Sequence, residues 1–411
     1  MGCSKSNNRE TKPFKMEIYT FTQLKDMIAK GRNVLVYENM VIDVEKWINQ
    51  HPGVPLVIKP LLGLEISRYF YGGFIAPGQS KPRVHSENAC KVIQQYQIGI
   101  IDSGVNIFMM PPNTELQQLT WQLVRKAPIT NVHNRFFFQC PNVKTKNILP
   151  GIGYAGKYFT LCHVKSNQKR NFGLFFTATE KLLPEYLKLI KAVTNGDDWV
   201  PPFENINEVF RDGMEFFMKK KEGFSKLVSE ISLPGEPSFD VLNCQFKIKG
   251  PFGIGLRLSP SPKGLIVAAI CGTSIAMWLE VVAYMIRKAA YQAGCKSGKD
   301  YRLFKNETFE DLNEPNFKLI LFSSFGTLKE SLGKDVFDVL HSLSKSLGLN
   351  NFEYYLRVSE NAEPHYTEEY FKERIKGTPE RIYFWGPYGV APALREIFLK
   401  MGYSEDMFYN T

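Results

Sequence analysis

From Pro262 onward the sequence repeats one rhythm, in which an apolar β-rich run is followed by a glycine-containing turn and a helical pattern. The first unit consists of the run 265–270, the turn 271–274 and a helix that continues to Ala293. The later units have strands at 318–323, 353–358 and 381–385, with helices around 335–347 and 391–401. This alternation predicts a parallel, doubly wound α/β sheet for residues 259–411.

Residues 113–258 show a different pattern, with short β-rich runs separated by Gly and Pro. The runs lie at 122–124, 135–138, 157–161 and 174–177. Close spacing of this kind predicts a small β-barrel. A segment at about 180–222 is interpreted as an insertion, and the basic run 219–221 at its end as a solvated helix face rather than a phosphate site.

Residues 16–104 predict a small α+β domain that carries two histidines at junctions between loops and helices. A helical pattern is followed by a hairpin, and a second predicted helix over 45–50 ends at His51-Pro52-Gly53. His85 precedes a helix that Ser86 is placed to cap. Two such histidines can face each other across a flat ligand, because neutral imidazole is a good axial ligand for haem iron.

The pattern around these histidines resembles a cytochrome b5 haem domain. The matching positions, in order, are Tyr19-Thr20, Val34 to Tyr37, Val41 to Val44, Trp47, His51-Pro52-Gly53, His85-Ser86 and Ile98-Gly99. The resemblance implies that His51 and His85 are the axial ligands of a b-type haem that transfers single electrons. The alternative is that both are ordinary surface or helix-end histidines.

Two features depart from that family. Val54 stands where the family has its second glycine, and the 34 positions from His51 to His85 exceed the usual interval. The extra length falls in the aromatic and glycine-rich segment 68–78, which could reshape the edge of the haem site.

A barrel followed by a parallel sheet resembles the ferredoxin-NADP reductase superfamily, in particular its cytochrome b5 reductase branch. Three segments carry the resemblance, namely 250–253 (Gly-Pro-Phe-Gly), 271–276 (Cys-Gly-Thr-Ser-Ile-Ala) and 385–387 (Trp-Gly-Pro). It implies that NADH or NADPH binds at Gly272, Thr273, Gly386 and Pro387, where small residues and helix-start amides admit a pyrophosphate. The substituted positions are Cys271, Ser274, Met277 and Trp385, and Trp385 would stand where the nicotinamide should lie.

The same resemblance implies an FAD site, for which two segments compete. Residues 157–160 (Lys-Tyr-Phe-Thr) keep the hydroxyl residue of the family motif, whereas 170–173 (Arg-Asn-Phe-Gly) keep its arginine. The distance from Leu149-Pro150 favours the second, which makes Arg170 and Phe172 the flavin candidates. The family's phosphate turn is matched by Gly223 and Ser225, one residue short.

The amino terminus matches a lipidation pattern. Gly2 with Ser6 fits N-myristoylation, and Cys3 offers a palmitoylation site. The first fifteen residues hold four cations against one Glu, which suits an anionic cytoplasmic membrane leaflet. The alternative is a polar tail that begins with Met-Gly by chance. Paired prolines in 105–112 predict a linker between this tail-bearing domain and the rest.

The remaining composition narrows the function class. The net charge is +10, yet Lys and Arg form no stripe interleaved with aromatics, so we expect no nucleic acid partner. The seven scattered cysteines are expected to be reduced thiols, and His133, His163, His341 and His365 to be structural or exposed.

Two functional hypotheses follow. The first is a membrane-anchored oxidoreductase that passes electrons from NAD(P)H through FAD to a bis-histidine haem and on to a protein or membrane-enzyme acceptor. The second is a haem-carrying protein whose reductase-like body no longer binds flavin or nucleotide and serves as an interaction surface. The motif substitutions favour the second hypothesis, and the retained glycines favour the first.

Removal of the first fifteen residues, or Gly2→Ala, should release the protein from membranes, because one acyl chain and a basic tail together provide the anchoring free energy. The measurement is the membrane-bound fraction after sedimentation of cell membranes. An unchanged bound fraction for Gly2→Ala would rule out acylation as the anchor.

Overall fold

The computed structural model describes residues 17–52, 55–71, 76–81, 83–101, 119–140, 155–175, 178–209, 213–219, 223–253, 255–258, 262–309, 317–361, 366–386 and 389–409. The chain divides into two compact units, Met1–Gly104 and Val105–Thr411. The predicted linker at 105–112 and Leu149-Pro150 lie outside the described residues.

The described residues of unit 1 form one mixed sheet, four short α-helices and a turn of 3₁₀ helix at Lys59–Leu61. In chain order they are β1 Glu17–Tyr19, α1 Phe21–Ala29, β2 Val34–Tyr37, β3 Met40–Asp43, α2 Pro55–Ile58, α3 Ser67–Phe70, α4 Glu87–Gln94 and β4 Gln97–Ile101. The strand order is β1-β4-β3-β2, in which β1 and β4 are parallel and the other pairs antiparallel. The hairpin of β2 and β3 and the first helix confirm the sequence prediction.

Strand β2 is buried on both faces of the sheet, which explains its continuous apolar run. Val34 and Val36 of β2 pack into a core with Leu24 of α1, whereas Leu35 and Tyr37 point into the opposite core. Successive strand side chains alternate between faces, so both sets of residues are removed from water.

The segment at 45–50 is not the predicted helix. It forms turns, in which Trp47 and Gln50 donate backbone hydrogen bonds to residues three positions earlier, Val44 and Trp47. Ser86 does cap α4 as predicted, because its hydroxyl accepts a hydrogen bond from the amide of Ala89 at 3.3 Å.

Unit 2 begins with a closed antiparallel barrel. Its strands are β5 Trp121–Pro128, β6 His133–Gln139, β7 Tyr158–His163, β8 Lys169–Phe175, β9 Met214–Lys219 and β10 Gln245–Phe252, and its helices are α5 Ala178–Asn195 and α6 Phe224–Glu230. The strands close in the order β10-β5-β6-β9-β8-β7. Aromatic side chains fill the interior, for example Phe138 against Phe246 at 5.0 Å between ring centroids. The predicted barrel is confirmed.

The predicted insertion is shorter than expected, because its last part is a barrel strand. β9 pairs with β6 and β8, and Lys219 ends this strand 3.6 Å from Glu330 rather than lying on a solvated helix. The inserted helix α5 buries Tyr186 in the core of unit 2. The buried side chain of Arg287 donates a hydrogen bond from Nε to Glu307 at 3.0 Å in the same unit.

The second part of unit 2 is the predicted parallel sheet. Its strands are β11 Leu265–Cys271, β12 Lys318–Phe325, β13 Phe352–Val358, β14 Pro379–Trp385 and β15 Phe408–Tyr409, and its helices are α7 Ala276–Ser297, α8 Lys334–Ser346, α9 Glu368–Arg374 and α10 Val390–Lys400. The order is β13-β12-β11-β14-β15, and every pair is parallel. One face is covered by α7 and α8 and the other by α9 and α10, which makes the sheet doubly wound. The chain order reverses at β11, and its carboxyl end is therefore the place where ligands of such sheets bind.

Candidate functional site

Unit 1 contains a cavity of about 520 Å³ between the sheet and the helices α2 to α4. His51 and His85 both line it. Its remaining walls are mostly apolar, and the volume lies within the usual range for sites that hold a cofactor or drug-sized molecule. The two histidines that the sequence singled out are therefore brought together in one site.

The two imidazole rings stand 6.3 Å apart between centroids, with their planes inclined at 42°. An imidazole nitrogen binds a first-row metal ion at about 2 Å, and the ring centroid lies about 1 Å behind that nitrogen, so two axial imidazoles on one metal place their centroids roughly 6 Å apart. The observed separation therefore matches two ligands on opposite sides of one metal.

His85 is held by Phe70, fifteen residues earlier in the chain. The carbonyl oxygen of Phe70 lies 3.0 Å from the backbone nitrogen of His85 and 3.0 Å from its Nδ1. A carbonyl only accepts hydrogen bonds, so Nδ1 carries the proton, and in the neutral ring the lone pair is on Nε2. The Phe70 ring also stacks on the imidazole, with 4.1 Å between centroids and 10° between planes. A metal-binding histidine typically has such a backbone acceptor on its other nitrogen.

His51 is positioned by packing against Trp47, whose ring meets the imidazole edge-on at 6.4 Å. Burial lowers the pKa of His51, and the nearby His85 lowers it further. Both causes disfavour the imidazolium form, which cannot bind a metal ion. Protein surroundings therefore favour the ligating form of His51 at neutral pH.

A pair of tyrosines supports the wall behind Phe70. The hydroxyls of Tyr37 and Tyr71 are 2.6 Å apart, and Tyr71 donates to Glu38 at 2.6 Å. Burial raises the pKa of both phenols well above the ordinary value, and the Glu38 charge adds to this effect. Both tyrosines are therefore neutral at physiological pH, and they tie α3 and the residue after it to β2.

The donor set selects the kind of group that fits. Within the described residues, no cluster of three or more His, Cys, Asp or Glu side chains is placed to hold a metal ion. Two imidazoles alone leave a bare ion short of ligands, whereas a haem brings four equatorial nitrogens and needs two axial donors. His51, His85 and the apolar cavity fit a haem.

Phe70 was not identified as a site residue from the sequence, because its contribution is a backbone carbonyl. Lys81 and Arg83, which also line the cavity, were missed as well. Their position four and two residues before His85 is the sequence signal that points to them.

The two flavin candidates occupy neighbouring strands with opposite exposure. Lys157 and Thr160 are buried, and Thr160 donates to Asn171 at 2.8 Å. Arg170 is exposed on β8 and Phe172 is half-buried, 5.8 Å from the Phe224 ring of α6. The structure therefore brings Phe172 together with the helix that begins after Gly223, while Ser225 of that helix is buried at 4% exposure.

The nucleotide candidates lie at the carboxyl end of β11. Gly272 has φ +72° and begins a turn of 3₁₀ helix, Gly272–Ile275, that includes Thr273 and leads into α7. Gly386 follows β14, and a Cβ there would stand 3.0 Å from the Cβ of Cys271. Three of the four candidates therefore share the predicted edge, and Pro387 lies outside the described residues.

Substituted residues close part of this edge. Trp385 is 4% exposed and belongs to the core of unit 2, so its ring is packed within the protein instead of standing in an open nicotinamide site. Burial raises the pKa of the Cys271 thiol to about 11. The buried Arg357 donates to Ser324 and Ser359, both at 3.1 Å, beside the same edge.

Gly2 and Cys3 lie outside the described residues. In the part of the chain that the structure covers, none of the helices combines the length and the apolar character needed to cross a bilayer. The six cysteines of that part are free thiols, whereas His133 and His163 make local hydrogen bonds, to Thr130 at 2.7 Å and to Ser166 at 2.8 Å.

Comparison with known proteins gives short or distant similarities. No protein-family model matches the chain. A Delta 8-(E)-sphingolipid desaturase from Lachancea kluyveri is 26% identical over 89 residues, which are 22% of this chain and 14% of the desaturase. The match thus spans a small part of that relative.

Three solved structures are similar over most of the chain. The CS-b5R domains of human Ncb5or in its NAD+ form show 11% identity and a TM-score of 0.44, covering 71% of this chain and 68% of that one. A flavohemoglobin from Malassezia yamatoensis with bound FAD and heme shows 11% and 0.43, covering 71% and 59%. The cytochrome b5 reductase domain of Ulva prolifera nitrate reductase shows 13% and 0.41, covering 73% and 100%.

In the protein without added haem, we expect His51 to titrate below the ordinary histidine pKa of about 6.5. The native state then binds fewer protons than the unfolded chain, so unit 1 loses stability as the pH falls through that value. His85→Gln should raise the His51 pKa only partly, since burial is the larger cause. The measurement is an NMR titration of the imidazole Cε1 signal, with His163→Gln as a control, and a midpoint at or above the ordinary value would contradict the expectation.

Proposed function

We propose that this protein is an electron-transfer oxidoreductase whose unit 1 binds one b-type haem through His51 and His85. The observation that carries the proposal is the 6.3 Å separation of the two imidazole rings across an apolar cavity of about 520 Å³. A bound haem would supply a reversible one-electron couple at its iron.

The residues of the cavity support ligation in three ways. Phe70 fixes the His85 ring and its tautomer through the bond from Nδ1. Burial keeps His51 neutral. The apolar walls, which include Leu35 and Ile58, exclude water from the faces of a flat ligand. Because two side chains would take both axial positions, no position is left for oxygen, and electron transfer remains as the function of this site.

For unit 2 we propose FAD as the electron donor to the haem and NADH or NADPH as the source of electrons. The proposal rests on the barrel joined to a doubly wound sheet and on the residues that lie at two places in it. For the flavin, Arg170 and Phe172 lie on β8, and the Phe172 ring packs against Phe224, which stands between Gly223 and Ser225. For the nucleotide, Gly272, Thr273 and Gly386 lie at the switch point of the sheet. FAD would accept a hydride and release its two electrons singly.

We further propose that the chain acts at the cytoplasmic face of a membrane. Acylation of Gly2 and Cys3 and the basic tail would hold it there. The acceptor would then be a redox protein or an enzyme of the same membrane.

A second candidate function is a haem-carrying protein whose body binds neither flavin nor nucleotide. Two observations favour it, namely the burial of Trp385 in the core and the approach of Cys271 to Gly386 at the edge where a nucleotide would enter. The body would then act through its surface.

An absorption spectrum of the purified protein tests the haem proposal. The wild type with added haemin should show the sharp Soret band of a six-coordinate haem. His51→Ala and His85→Ala should each lose that spectrum, because one axial ligand is absent, whereas His341→Gln should keep it. Absence of the band in the wild type would overturn the proposal.

Anaerobic addition of NADH, and then NADPH, separates the two functions of the body. Arg170→Gln should weaken flavin retention at least about tenfold, since a hydrogen bond to a charged group contributes roughly 1.5–3 kcal/mol. The neighbouring Lys169→Gln is the matched control. Haem reduction by a nucleotide in the wild type supports the reductase, and a stable haem spectrum that responds to neither nucleotide supports the second candidate.

A further inference from the structure

The charged residues that line the cavity are both cations. Lys81 and Arg83 are exposed at its mouth, and within the described residues no Asp or Glu lines it. The other exposed polar lining residues, Ser86 and Asn88, come from the same stretch of chain. The mouth of the cavity is therefore electropositive and polar on one side.

The buried part of the cavity lining is apolar. Its buried lining residues are Leu35, Val44, Ile58, Leu61, Ile66 and Phe70. A ligand with a flat apolar body and negatively charged groups on one edge can enter such a cavity in one sense only. Its body lies against the buried side chains and its charged edge stays at the mouth, because a buried carboxylate without a partner is strongly unfavourable.

We infer that Lys81 and Arg83 bind the two propionate carboxylates of the haem and thereby fix its orientation. This inference rests on the proposed haem function of unit 1. The two cations are additional binding residues for that group, besides the axial histidines.

The loop that carries the cations is tied to the axial ligand. Tyr71 and Val84 form an antiparallel bridge, and His85 bonds to Phe70 next to it. Arg83 therefore directly precedes the bridged residue Val84 and lies two positions before the axial histidine His85.

This arrangement has two physical consequences. Ion pairs with the carboxylates slow the release of haem. Positive charge near the group also favours the state that carries one more electron, so Lys81 and Arg83 raise its midpoint potential.

The test compares the wild type with Lys81→Gln/Arg83→Gln, each loaded with haem or with haem dimethyl ester, whose carboxylates are blocked. With ordinary haem, the variant should release haem to an excess of apoglobin about five-fold faster. The reason is that an exposed ion pair changes a binding or release constant by up to about fivefold. The midpoint potential of the variant should be lower than that of the wild type. With the dimethyl ester the difference in release rate should disappear, because the cations then have no carboxylate to bind.

Lys91→Gln is the matched control, since Lys91 is exposed on α4 and does not line the cavity. It should behave as the wild type with both ligands. Equal release rates for the wild type and the double variant with ordinary haem would overturn the inference, as would a difference in release rate that persists with the ester. Loss of binding to an acidic acceptor protein in the variant, with haem release unchanged, would assign the cations to a partner instead.

The spectrum keeps this inference distinguishable from the proposed function. A wild type without the six-coordinate Soret band overturns both. A wild type with that band, combined with unchanged release by the double variant, overturns only the role of Lys81 and Arg83.

Discussion

The cavity of unit 1 depends on one carbonyl group. The oxygen of Phe70 accepts hydrogen bonds from both the backbone nitrogen and the ring Nδ1 of His85, while the Phe70 ring covers one face of the imidazole. These contacts fix the position, the tautomer and the plane of His85 from a single residue. The bridge between Tyr71 and Val84 closes the chain beside them. As a result, the His85 ring is positioned by residues that directly flank the segment from 72 to 83.

This explains which part of the site was readable from the sequence. His51, His85 and the capping role of Ser86 follow from local patterns of residue type, and the structure places both histidines on one cavity. The role of Phe70 could not be predicted, because a backbone carbonyl has no residue-type signature and its partner is fifteen positions away. The turns at 45–50 were predicted as a helix for a related reason. Their apolar residues have helical spacing, and residue type does not distinguish turns with hydrogen bonds three residues back from a helix.

In unit 2 the strands were predictable and their neighbours were not. Short apolar runs mark a strand wherever it pairs, so the barrel and the parallel sheet could be predicted from the sequence. The placement of β9 between β6 and β8 depends on pairing across the long segment that contains α5. Local residue patterns do not show this pairing, so Lys219 was predicted to lie in an insertion. Trp385 shows the same limit, because residue type alone did not reveal that its ring is buried in the core.

The parallel pairing of the first and last strands of unit 1 has a consequence for how the unit can be joined to other domains. Glu17 lies opposite Gly99 and Tyr19 opposite Ile101, so the chain enters and leaves the unit at one edge of its sheet. Because the two strands are parallel, the chain enters at one end of this edge and leaves at the other, so further domains can be joined before and after the unit without disturbing its sheet. Unit 1 can thus be joined in tandem with other domains, and His51 and His85 would stay together because both lie between β1 and β4 in the chain.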